Sequence, residues 1–370
     1  MQDLASINDR IAPLDQAACR RARDKWNGVA KPVGSLGVLE DAIVQIAGLT
    51  GNEDVRLEKR AVVVMCADNG VVAEGVSQAG SEVTLAVAEN IARGESSVCS
   101  MARPHGIEAF AVDMGMCASS ADPRVIDRAI ARGTGNIAQG PAMTREQAIA
   151  AVQVGIDMVA ELKGRGYDII ASGEMGIGNT TSSSALLAAL LGLSADALVG
   201  KGAGLSEEGL ARKRAAVQRA IAVNAPNAGD PIDVLAKVGG FDIAGIIGLF
   251  LGGALYRVPV VVDGFISMVA AYVATRIAPR SICAMLASHS SAEPAVRFIE
   301  EALVLAAGVG HAGLAEAGIG FRPIIQASMR LGEGTGAVCL IPLLDSALSL
   351  YNGSTFADIA IDAYDPDLVK

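Results

Sequence analysis

Histidine is nearly absent from this chain: His105, His289 and His311 are the full set. They are too scattered to suggest a zinc-ligand spacing. The six cysteines, Cys19, Cys66, Cys99, Cys117, Cys283 and Cys339, include no CxxC pair. They are expected as reduced thiols of a cytoplasmic protein. Cys66, inside an apolar run, is read as core rather than nucleophile. No Lys/Arg run interrupts a net charge of −10, which argues against a nucleic-acid surface. The longest apolar run, 243–255, stops at Tyr256-Arg257, short of the ~20 residues a membrane span needs. Met1 to Asn8 has neither a basic nor an apolar signal region. No expected strand ends in GxGxxG with an acid ~20 residues on, and the main glycine turn, 173–178, matches neither that spacing nor GxxxxGK[ST]; nor is there a defensible Ser–His–Asp pattern. No acids are clustered at metal spacing, so neither a metal nor a cofactor is expected.

What the chain has is length, glycine and short apolar runs. Its 370 residues suffice for a large core and for two domains. A hydrophobic content of 51%, 42 glycines and only 4% aromatics suit close helix–sheet packing. The organising stretch is 171–182, Ala-Ser-Gly-Glu-Met-Gly-Ile-Gly-Asn-Thr-Thr-Ser. An apolar run before it, Tyr167 to Ala171, reads as a buried parallel strand, and Ser182 to Leu193 after it reads as a helix. Strand, glycine turn, one acid, then a helix opening on Asn-Thr-Thr makes an anion site, because the first helical N–H groups are free and the dipole favours a phosphate. Asn and Thr also cap ordinary helices. On this stretch alone the two readings are balanced.

Strands are expected at 61–67, 107–114, 258–262, 282–287 and 324–329, with helices between them. Residues 1–50 are helical in pattern, with Ser35 a candidate cap for the stripe Leu36, Leu39, Ile43, Ile46 and Leu49. Thr144 with Gln147 predicts a capping box for a helix to about Lys163. Ser206 is expected to cap a basic helix carrying Arg212, Lys213 and Arg214. Strands alternating with helices predict an α/β fold with a doubly wound, mainly parallel, Rossmann-like sheet and helices on both faces. A smaller helical domain is expected over 1–55, completed by a C-terminal helix over 351–370, beside a large domain over 56–350.

Asp68, Asp113, Glu174, Asp263, His289 and Glu333 all fall at or just past an expected strand end. Ligands of open parallel sheets bind at that edge, so the six are read together as a rim. Glu174 and Glu333 are placed in turns between glycines, where partial burial would raise a carboxyl toward the range a general base needs.

Six blocks then resemble one family. They are Lys31-Pro32-x-Gly34-Ser35-Leu36-Gly37, Ala67-Asp68-x-Gly70-Val71, Gly173-Glu174-Met175-Gly176-x-x-Asn179-Thr180-Thr181, Leu235 to Gly240, Asp263-Gly264-Phe265, and Arg330-Leu331-Gly332-Glu333-Gly334-x-Gly336. In this order, from about residue 30 to residue 350, they look like the nicotinate-nucleotide–dimethylbenzimidazole phosphoribosyltransferases, which prepare the lower ligand of cobalamin. The resemblance implies a homodimer with composite sites, with a heterodimer as the alternative. Its partners would be nicotinate mononucleotide and a lower-ligand base. It implies Glu333 as catalytic base, with Glu174 also in the catalytic set. Gly176, Asn179, Thr180, Gly202 and Lys213 would anchor the phosphate, and Asp263, Gly264 and Ser291 would complete the nucleotide site. Glu174 or Asp263 would steady charge on the ribose. Asp68, Ala79, Val87, Met175 and Leu331 would line the lower-ligand pocket. Asn69 stands where the best-known members have His, and Val87 where members favouring dimethylbenzimidazole often carry Gln. The lower ligand thus stays open among benzimidazole, purine and phenol, and a non-catalytic partner subunit is the remaining alternative. The segment 306–321 is longer and richer in glycine than expected, as a surface insertion or a reshaped rim.

Overall fold

The computed structural model describes residues 4–200, 204–309 and 312–361. A short helix, α1 (Ile7–Arg10), leads into α2 (Gln16–Gly28) and α3 (Val38–Thr50). Strand β1 (Arg60–Ala67) is followed by α4 (Glu82–Arg93) and α5 (Ser97–Ala102), then β2 (Ile107–Gly115) and a two-residue β3 (Ile126–Asp127). Helix α6 (Arg145–Gly164) crosses to β4 (Ile169–Met175). A long helical excursion separates β4 from β5: α7 (Asn179–Leu191), α8 (Ala195–Leu198), α9 (Glu207–Asn224), α10 (Pro231–Val238) and α11 (Phe241–Tyr256). After β5 (Val260–Val262) come α12 (Phe265–Ile277), β6 (Met285–Ala287), α13 (Val296–Gly308) and α14 (Thr335–Tyr351).

The six strands pair in the order β3-β2-β1-β4-β5-β6, and every pairing is parallel. The order reverses between β1 and β4, where an open α/β sheet leaves a crevice at its carboxyl edge. The two faces follow from strand alternation. Val62 and Val64 of β1 lie against the turn that starts α14, whereas Met65 points the other way, onto Gly245 of α11. Helix α11 is buried along nearly its whole length, as an apolar-all-round helix must be. It packs backbone to backbone on α6: a Cβ on Gly155 would lie 2.0 Å from the Gly245 carbonyl oxygen. No described helix is long and apolar enough to cross a membrane.

Several sequence expectations shift. Strand β4 runs through Ser172, Gly173 and Glu174 to Met175, so Glu174 is a strand residue and not a turn residue. Gly173 allows this, because its missing side chain makes room for the Glu333 carbonyl, 2.7 Å from where a Cβ would stand. Asn179, Thr180 and Thr181 already belong to α7, whose N-cap is Gly178 with φ +93°. Ser35 caps nothing: α3 starts at Val38 after Gly37 with φ +55°. Glu40 instead takes the Leu36 N–H and a buried 2.7 Å ion pair from Lys31. Of the expected strand 282–287 only Met285–Ala287 is extended, since Pro279 opens a 3-10 turn to Ala284. The Gln45 amide NH₂ donates to the Cys283 and Met285 carbonyls there.

The strand expected at 324–329 is absent. One bridge, His289 to Ile325, replaces it, and Ser328 turns the chain with φ +51°. Thr144 forms the capping box and Ser206 caps α9. Residues 352–361 are turns rather than helix, tied to the first helices by a bridge from Val29 to Thr355; residues 362–370 lie outside the described set. The described part of 306–321 stays off the rim. Ala312 and Gly313 accept hydrogen bonds from Leu14 N–H and the Gln16 amide.

Candidate active site

A cavity of about 260 Å³ opens at the carboxyl edge of the sheet, over β4, β5 and β6. Three helices begin there, α7, α12 and α14. Each has a glycine N-cap (Gly178, Gly264, Gly334), which offers no side chain to the first turn. Their first turns supply Asn179, Thr180, Phe265 to Ser267 and Thr335 to the wall. The positive ends of three dipoles therefore converge on one space, which suits an anionic ligand.

Acids set into this field hold their positions by backbone contacts. Glu333 sits at φ +59° between Gly332 at +94° and Gly334 at +87°. A non-glycine residue held left-handed costs ~1–2 kcal/mol, and here that conformation lays the turn over Glu174. A Cβ on Gly332 would stand 2.8 Å from Glu174 Oε1, and the Glu333 backbone N–H hydrogen-bonds the Glu174 carboxyl. Glu333 Oε2 accepts from the Val98 N–H at 3.1 Å, at the start of α5. Asp263 Oδ1 accepts from the Ala337 N–H of α14 at 2.9 Å.

Glu174 is buried, and burial pushes its carboxyl well above the ordinary range, against the lowering effect of the Asn179 amide; the nearby Asp242 and Asp263 carboxylates raise it further. Lys213 of α9 is buried as well, its Nζ 2.9 Å from Thr180 Oγ1 and 3.3 Å from the Gly200 carbonyl. Desolvation brings its ammonium down to about 8, partly offset by Glu293. It lines a smaller space of about 110 Å³ that shares Gly176, Asn179 and Thr180 with the main cavity.

His289 also lines the wall. The Ser288 hydroxyl donates to the Val262 carbonyl at 2.6 Å and so must accept from His289 Nδ1 at 2.9 Å. In the neutral ring this leaves Nε2 as the lone-pair nitrogen, beside Gly264.

Of the residues expected from the sequence, the cavity unites Glu174, Met175, Gly176, Asn179, Thr180, Asp263, Gly264, Ser291, Leu331 and Glu333. Lys213 joins through Thr180. Gly202 lies outside the described residues. Asp68, Ala79 and Val87 are not on this wall. Asp68 is buried and accepts from the Cys117 N–H at 2.7 Å. Ala79 belongs to the loop before α4, its N–H on Ser77 Oγ. Val87, on α4, packs half-buried against the core. Of the rim acids, Asp113 turns back to the Gly115 and Met116 N–H groups and to Arg132. Asp242 was missed. An acid in the first turn of an apolar helix reads as ordinary dipole complementation, and only the tertiary fold sets it against Asn179, at 2.9 Å. No group of acids, His and Cys suited to a metal ion occurs among the described residues.

An open Rossmann-ordered sheet that gathers three helix starts with glycine N-caps, a buried lysine and several acids at its switch edge belongs to the nucleotide-handling α/β enzymes. A family model described as "Phosphoribosyltransferase" matches residues 11–361. A protein of Acetivibrio thermocellus called nicotinate-nucleotide–dimethylbenzimidazole phosphoribosyltransferase is 45% identical over 99% of both chains. One of that name from Ruminiclostridium cellulolyticum is 43% identical over 96% of this chain and 97% of its own. The crystal structure of CobT from Thermus thermophilus superposes with a TM-score of 0.84 at 37% identity, covering 94% of this chain and all of that one. The chain belongs to the nicotinate-nucleotide–dimethylbenzimidazole phosphoribosyltransferase family.

Proposed function

We propose that this chain moves ribose 5-phosphate from nicotinate mononucleotide to a ring nitrogen of 5,6-dimethylbenzimidazole or a related base, releasing nicotinate and giving the α-ribazole phosphate type of product. The observation that carries the reading is the convergence of α7, α12 and α14 on one cavity beside Lys213. The nucleotide has two anionic groups, a phosphate and a ring carboxylate, and a wall of several helix starts can hold both.

The phosphate is assigned to Gly176, Thr180 and Lys213, which fixes the ribose; such positioning lowers barriers by several kcal/mol. Asn179, its amide and backbone N–H already committed, shapes the wall instead. Asp263, Gly264 and Ser291 are assigned to the rest of the nucleotide, and Met175 with Leu331 to the incoming ring. Nicotinate departs from a pyridinium, so the ring nitrogen loses positive charge as the bond breaks and needs no proton. Attack comes from the opposite face and inverts C1′. Glu333 takes the N–H proton of the attacking base, a contribution of roughly 10²–10⁴-fold. The strained turn that carries Glu333 supports this, because it fixes the carboxylate at the mouth of the cavity beside the exposed Leu331. We assign the enzyme to the cytoplasm as a homodimer, in which a second copy covers Leu331.

Turnover by the purified chain with nicotinate mononucleotide and dimethylbenzimidazole, adenine or phenol in separate reactions tests the reading. Nicotinate release with dimethylbenzimidazole is the expected result. Release with none of the three would overturn the assignment of the single chain as a complete transferase. Light scattering that returns the monomer mass at assay concentration would remove the dimer.

A further inference from the structure

Asp242, the second residue of α11, lies beneath the cavity with no exposure to solvent. Its Oδ2 accepts from Asn179 Nδ2 at 2.9 Å, and the same nitrogen donates to Glu174 Oε2. Two glycines make way for it. A Cβ on Gly176 would stand 2.4 Å from Asp242 Oδ2, and one on Gly240 2.6 Å from its Oδ1. One NH₂ group thus gives both hydrogens to two buried carboxyls from different elements. The amide orientation is fixed by this, because the flipped form would turn a carbonyl oxygen toward two acids.

An amide carries no charge to offset two carboxylates. Neither acid is in an ion pair among the described residues, and Lys213 is held by Thr180 Oγ1 and the Gly200 carbonyl. Two carboxylates joined through one nitrogen stand ~5 Å apart, and buried like charges at that spacing retain a proton between them. Asp242 sits in the first turn of α11, near the positive end of its dipole and the Ile243 N–H, so the shared proton resides on Glu174. Both carboxyls lie above their ordinary range because of burial, Glu174 the further.

We propose that Asp242 is a positioning residue: through Asn179 it locks the carboxamide and keeps the Glu174 carboxyl protonated in the empty site, so that Glu174 ionises when a cationic nucleotide ring docks. This rests on the transferase reading, in which the substrate ring is a pyridinium and the product ring, having lost its N–H proton, is neutral. Binding then releases a proton from the pair to solvent, and departure of nicotinate lets one return. The charge of the cavity floor follows the charge of the ligand.

The other titratable groups facing the pair are Asp263 after β5, Glu333 and Arg330 before α14, His289 and Glu293 after β6, Lys213 on α9 and Cys66 in β1. All are common to the wild type and an Asp242 variant, so the difference between the two isolates Asp242.

The test is the pH profile of KM for nicotinate mononucleotide. In the wild type KM falls as pH rises through the ionisation of Glu174. Asp242→Asn removes the neighbouring charge, and the limb moves acidward by about one pH unit; Glu174→Gln abolishes it. A KM raised by one constant factor at every pH, with the limb unmoved, would mean a merely structural role and overturn the proposal. Should Asp242→Asn not fold, calorimetry of nicotinate mononucleotide binding to the wild type in two buffers of different ionisation enthalpy decides. Release of a fraction of a proton supports the proposal, and none overturns it. A wild type that never turns over nicotinate mononucleotide speaks against the transferase reading instead, and shows this before any variant is made.

Discussion

Between α6 and α11, glycines 155, 248 and 252 bring two helix backbones together; around the cavity, glycines 176, 240, 332 and 336 clear space for polar side chains. A Cβ on Gly248 would meet the Val152 carbonyl oxygen at 2.1 Å, whereas one on Gly336 would meet the His289 ring at the same distance. In the first region the atom displaced is rigid backbone that supports the sheet. In the second it is a functional group held in a particular orientation. One residue type therefore serves stability in one place and chemistry in the other, and substitutions should separate the two.

The largest effect is expected on the chemical side. Glu333→Gln lowers kcat by roughly 10²–10⁴-fold while nicotinate mononucleotide binding, measured by calorimetry, stays nearly intact. Equal loss of both would remove Glu333 from the base role. On the packing side, Gly155→Ala forces α6 away from Gly245 and Gly248. It should cost about 1–3 kcal/mol or more of stability in urea unfolding, with KM of the folded fraction unchanged.

Gly332→Ala should show the opposite partition. The left-handed φ costs ~1–2 kcal/mol, yet the displaced atom is Glu174 Oε1, so activity falls further than stability accounts for. If Gly155→Ala and Gly332→Ala lose stability and turnover in the same ratio, the distinction between the regions fails.

The smallest effect concerns Lys213, whose ammonium burial brings down from 10.5 to about 8. A depressed lysine destabilises the fold fully below its folded value, and the penalty fades as pH rises toward the unfolded one. Between pH 8 and 10.5 this group makes stability rise with pH. Lys213→Met should flatten that slope in thermal melts and raise KM for the nucleotide by roughly tenfold, as loss of a charged phosphate partner does.

Much of this could be read along the chain where the signal is local. Apolar runs ending in Asp68 and Asp263 mark strand ends because the pattern changes within a few residues. The Thr144 capping box and the Ser206 cap are equally local and both occur. The failures have non-local causes. Residues 324–329 have strand composition, yet Ser288 and Ser290 offer them partners for a single bridge before Ser328 turns away. Glu174 reads as a turn acid because it follows Gly173, and the Glu333 carbonyl that makes that glycine a strand residue comes from far along the chain. Asp242 gave no signal, since its meaning depends on an amide brought to it by a different helix.

The pairing of Val29 with Thr355, reinforced by Ala30 N–H on the Ser354 carbonyl and Phe356 N–H on Gly28, bears on the birth of the molecule. On the ribosome, the first helices emerge long before the segment that fastens them, and the sheet through β5 can form while Glu333 is still untranslated. Such a nascent chain offers an exposed groove over Val62, Val64 and Gly173, the seat later taken by the turn before α14. Contacts this distant in sequence close slowly. Completion of the fold and arrival of the turn that carries Glu333 are then one event, so a half-made chain has a sheet but an unfinished cavity wall.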